Sequence, residues 1–201
     1  MKLFERIPDS ITVNGKRYKC NFDFRNVLKM LEIMQREDLQ LDARDYLCIK
    51  CVISHRIPSK SVSGVYNELC NVLFEKGVES PENSEKLMSF EQDAALIRAA
   101  FLQEYGINLY HDNLSWFEFI ELLQGLPDGN RFESVVSIRA RPIPAPAKYN
   151  KKEREWLIKA KRQVAIHMTE AEQQKNYDKQ VGNVFAALMS MIPKKEVKPD
   201  E

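Results

Sequence analysis

Along most of this chain the apolar side chains return every three or four residues, and in one short stretch near the start they alternate. The helical period is clearest in residues 89–144. There Phe90, Ala94, Ile97, Phe101 and Tyr105 line one face of an expected helix. Ser89 stands at its start with Gln92 three residues on, the spacing of a capping box. Gly106 follows as the left-handed stop. A second helix repeats the grammar, with Ser115 as cap, Glu118 as its box partner and Leu114 with Phe119 as a hydrophobic staple. Trp116, Phe119, Ile120 and Leu123 form its stripe, and Gly125 closes it. A third, over 131–139, carries Phe132, Val135, Val136 and Ile138 until Pro142 stops it.

Before this centre, residues 11–20 alternate around Asn14-Gly15, a pair that tolerates the positive φ of a tight hairpin turn. A lone hairpin is marginal, so it must rest on a helix or be extended by another strand. Asp23 is placed to cap a helix with the stripe Phe24, Val27, Leu28, Leu31 and Met34. Asp42 opens another, running to about residue 54 or 55 before Pro58. Ser63 is the expected cap of a third, ended by Gly77. Polar residues 79–86 read as a surface loop.

Residues 142–147 alternate proline with other residues, which favours an extended, semi-rigid spacer. The expected organisation is therefore a hairpin and helical core domain over 1–141, a linker over 142–147, a C-terminal helical segment over 148–192 and a disordered tail over 193–201. Within the C-terminal segment, helices over 151–167 and from Thr169 onward would form a helical hairpin. The last carries Tyr177, Val181, Val184, Leu188 and Met191 at coiled-coil spacing. These five are the expected partner-binding surface. The fold class is thus mainly α, with a small N-terminal β-hairpin packed on a helical bundle.

Composition changes this picture little. The 201 residues carry a net charge of +1, so no whole-chain field draws them to nucleic acid or membrane. Neither a signal peptide nor a spanning run is visible, which points to the cytoplasm. Four cysteines in such a chain are expected to be reduced thiols.

Candidate chemistry is sparse. Cys48, Cys51 and His55 share a helical face, and Cys70 could complete a zinc set. Yet cysteines beside Val52 and Ile53 read better as small buried residues, because the knuckle glycine and a second Cys-x-x-Cys are missing. No metal, cofactor or catalytic residue is therefore assigned, and no enzyme is expected. Glu91 and Asp93 suit the first turn of a helix, where the dipole favours acids. Residues 148–162 hold seven basic residues against two glutamates, with Tyr149 and Trp156 interleaved. Such a run suits either nucleic-acid binding or a solvated lysine face, and the solvated face is the expected reading.

One resemblance adds to this. The segments Phe90-Glu91-Gln92-Asp93 and Phe101-Leu102-Gln103-x-Tyr105-Gly106-Ile107, with the pair Trp116-Phe117, resemble the bacteriophage gene-product fifteen family of tail-module proteins from Gram-positive siphophages and prophages. The hairpin followed by Asp23-Phe24-Arg25, and Tyr149-Asn150-Lys151-Lys152, fit it as well. The resemblance implies a gene between those for the tail tube and the tape measure. It thereby implies a non-enzymatic tail assembly chaperone in the cytoplasm of an infected or lysogenic host. The partner implied is the tape-measure or another tail protein, with a further copy of the chain as the other candidate. A structural tail completion or connector component and a basic nucleic-acid-binding adaptor are the alternatives.

Overall fold

A computed structural model describes residues 6–74 and 87–167. In order these form β1 (Ser10–Val13), β2 (Lys16–Lys19), α1 (Phe24–Met34), α2 (Leu41–Val52), α3 (Val62–Leu73), α4 (Ala94–Tyr105), α5 (Trp116–Gln124), α6 (Arg131–Ala140) and α7 (Lys151–Gln163). The fold is mainly helical with a small two-stranded hairpin, as the periodicity requires.

The strands pair antiparallel with Ile11 opposite Tyr18. Asn14 and Gly15 both take positive φ, 51° and 74°, so the turn is the one the dipeptide predicts. Ile11 and Tyr18 point inward and are buried, and β1 rests on α3. A Cβ added at Gly64, near the start of α3, would come 3.3 Å from Val13 Cγ1, so the ribbon and helix lie close.

Asp23 caps α1 by accepting from the Arg25 amide at 2.9 Å. The start of α1 is tied to the start of α5: the Phe24 amide donates to the Leu114 carbonyl and the Trp116 amide to the Phe22 carbonyl. Ser115 and Glu118 close both halves of their capping box. Gly106 is left-handed and its amide reaches the Leu102 carbonyl, the bond of an αL stop, while the Ile107 amide reaches the Phe101 carbonyl.

The centre of the core is aromatic. Phe119 stacks on Phe24 at 4.7 Å and on Phe101 at 5.3 Å between ring centroids. Trp116 packs beside it and donates its indole N–H to the Leu73 carbonyl. Around these sit fully buried Val27, Met30, Ile49, Ile53, Val65 and Leu69 from α1, α2, its C-terminal end and α3.

Several helix starts differ from expectation. Helix α4 begins at Ala94 rather than beside Ser89. The Gln92 amide does reach the Ser89 hydroxyl, but the Ser89 amide donates to the Asp93 carboxylate instead of to Gln92, and residues 90–93 make a turn. Gln40, not Asp42, precedes α2, and Ser61, not Ser63, precedes α3 after a 3₁₀ turn at Ser59–Ser61. Helix α7 stops at Gln163, short of 167.

Residues 142–147 lead from α6 to α7. The chain runs through the prolines and folds back, and the described residues up to Val164 form one compact unit. Leu157 of α7 is fully buried, and the Lys161 ammonium donates to the Arg139 carbonyl of α6. Gly77, the 79–86 loop, the last helix and the tail lie outside the described residues.

Candidate interaction site

An apolar cleft of about 310 Å³ opens where α1, α4 and α5 meet. Phe24, Leu28, Phe90, Ala94, Ile97 and Phe119 contribute to its walls, and Arg25, Arg98 and Tyr110 line it too. Phe24 and Phe119 are there because they fall on the inward stripes of α1 and α5, whose starts are bridged.

Arg25 does more than line the cleft. Its guanidinium pairs with Asp23, lies 4.5 Å from the Phe24 ring centroid and donates to the carbonyls of Leu109 and Asp112, each at 2.9 Å. It thereby fastens the 108–112 turn, which is also tied internally by the Asn108 amide on the Asp112 carboxylate. That turn presents Tyr110, which is 68% exposed, with the Arg98 guanidinium 4.7 Å from its ring centroid. The result is a greasy floor with two cations and an exposed aromatic, suited to an apolar flank of another polypeptide that also offers acceptors. Sequence reasoning had Arg25 only within a family motif and passed over Arg98 and Tyr110. Their signal was weak, since a lone exposed arginine and tyrosine have no periodic meaning.

The cysteine–histidine set is divided. Cys51 and His55 line a second, more polar cleft of about 390 Å³ with Lys19, Asn21, Asn26 and Lys50. His55 stacks on Tyr18 with ring centroids 5.6 Å apart. Cys48 is fully buried and its thiol donates toward the Met30 carbonyl, while Cys70 lies on α3 beside Tyr66. Burial pushes the Cys48 thiol up to about 11, and those of Cys51 and Cys70 are raised by the same cause. Among the described residues, no group of three or more His, Cys, Asp or Glu side chains is placed to hold a metal ion.

Asp93 is buried, with its side chain 3% exposed, and forms a bidentate pair with Arg139 at 2.7 and 2.8 Å. Arg139 also donates to the carbonyls of Leu87 and Val164. Burial pushes the Asp93 carboxyl up, but the Arg139 guanidinium and the Ser89 amide outweigh it and hold it below its usual range. The basic residues of 148–162 lie on α7 and the turn before it, with Tyr149 92% and Trp156 55% exposed. Tyr177, Val181, Val184, Leu188 and Met191 lie outside the described residues. No helix among those described is long and apolar enough to cross a membrane.

Fold and cleft together define a small, mainly helical module that offers an arginine-bearing apolar cleft. Residues 3–166 match the family described as bacteriophage Gp15 protein, and the chain belongs to that family. No curated protein and no solved structure gives a significant match.

Proposed function

We propose that this protein is a non-enzymatic phage tail assembly factor that binds the tape-measure protein in the host cytoplasm while the tail is built. Family membership over residues 3–166 supports a phage role, and the tail-module position implied by the resemblance supports the client. The observation that carries the binding mode is the cleft between α1, α4 and α5. Its apolar floor matches one flank of a long amphipathic helix, and Arg25, Arg98 and Tyr110 can meet that helix's polar edge.

Co-expression tests it. The tape-measure protein is expected to stay soluble and to co-purify when this chain is present, and to aggregate without it. Tyr110→Ala combined with Arg98→Glu, both near the cleft mouth, is expected to abolish co-purification while helical content by circular dichroism is kept. Retention of the client by that variant would refute the cleft as its seat. Mass spectrometry of purified particles separates the structural alternative: an assembly factor is absent from them, whereas a tail component is present in fixed ratio.

A further inference from the structure

The near-zero net charge of the chain hides a strong segregation. Residues 104–134 hold six carboxylates against a single arginine, and residues 148–162 hold seven cations against two carboxylates. Both stretches belong to the compact unit ending at Val164.

On α7 the two glutamates are already engaged, Glu153 with Arg141 at 2.7 Å and Glu155 with Lys151 at 4.0 Å. Lys152 and Lys159 have no such partner among the described residues. They lie four before and three after Trp156, so all three share one helix face, and all three are exposed. Leu157 occupies the opposite, buried side against the main body. The exposed Tyr149 and Lys148 extend the same surface into the preceding turn.

On α5, Trp116, Phe119 and Leu123 face inward, which leaves Glu118 and Glu121 together on the outer face. Glu118 is hydrogen-bonded to Ser115 but stays exposed, and Glu121 and the following Asp128 have no basic partner among the described residues. One molecule thus presents an unneutralised acidic face and, on another helix, a basic face centred on a tryptophan.

We propose that the α7 face of one copy docks on the α5 face of the next, joining second copies of this chain head to tail. The two surfaces differ, so the contact is heterologous and leads to a ring or an open string rather than a closed pair. Opposite charges set its register and speed, and burial of Trp156 supplies apolar contact. The inference stands apart from the tape-measure reading, because it concerns the isolated protein.

The test uses the full chain in sedimentation velocity. Assemblies larger than a monomer are expected at low salt, shrinking as salt rises because exposed charges are screened. Lys152→Glu with Lys159→Glu makes both faces acidic, and Glu121→Lys with Asp128→Lys makes both basic. Each double variant alone is expected to weaken self-association by about tenfold or more. Mixing the two double variants, or combining all four changes in one chain, restores complementary faces and is expected to restore assembly. Trp156→Ala is expected to weaken it without loss of helix, since the ring is half exposed. A wild-type chain that stays monomeric at low salt and high concentration overturns the proposal. So does assembly that ignores the reversals. If Lys152→Glu with Lys159→Glu instead abolishes retention of a single-stranded oligothymidylate and leaves assembly intact, α7 is a nucleic-acid surface and the proposal is wrong.

Discussion

Asp93 and Arg139 are 46 residues apart and their side chains are almost fully buried, held by each other and by backbone groups among the described residues. Removing one partner leaves a charge with no water to solvate it. Arg139→Met is therefore expected to cost about 3–5 kcal/mol in urea unfolding at neutral pH. The carboxyl of Asp93 titrates below its ordinary value in the folded chain, so its contribution is complete at neutral pH. It is lost only as pH falls below about 4 and through the lowered value. The stability gap between the native protein and Asp93→Asn should accordingly close on acidification, and a constant gap would place the energy elsewhere. This pair was not legible in the sequence. A first-turn acid is explained well enough by the helix dipole, and nothing local in residues 89–93 announces a partner on α6. Arg25 was hidden for the same reason, since its acceptors at Leu109 and Asp112 are backbone carbonyls that any sequence supplies.

Local grammar served best at caps and turns whose chemistry closes within a few residues. Asp23, Ser115 with Glu118, Asn14-Gly15 and Gly106 act on groups within a few residues, so their chemistry is readable without the fold. Ser115→Ala should lower stability by about 1 kcal/mol, and Gly106→Ala by about 1–2 kcal/mol because a Cβ resists the left-handed conformation. Thermal melts followed by circular dichroism would show either loss. The start of α4 was misplaced because the Asp93 carboxylate, already held by Arg139, takes the Ser89 amide that a capping glutamine would have claimed. Helix α7 taught a different lesson. Its periodicity was visible, but a proline-rich approach gives no hint that the chain doubles back.

At the scale of the molecule, α7 is attached rather than embedded. Leu157 and Val135 are buried yet stand apart from the main core cluster, and polar bonds from Arg139, Arg141 and Lys161 also tie the end of α6 to α7. Leu157→Ala should cost about 2–5 kcal/mol locally. Hydrogen exchange would then show lost protection across Lys151–Gln163 with the Phe119 core unchanged, and uniform loss throughout would contradict this. The candidate cleft, by contrast, was unreadable in advance, because its walls come from three helices and only their stripes were visible. Under the hairpin, the bare α-carbon of Gly64 leaves room for Val13. A leucine there would act as a wedge, prying the ribbon off its bed and baring its unpaired rims to neighbouring strands. Gly64→Leu should consequently bind more thioflavin on standing than the native chain, and equal binding would show that the hairpin yields to the larger side chain.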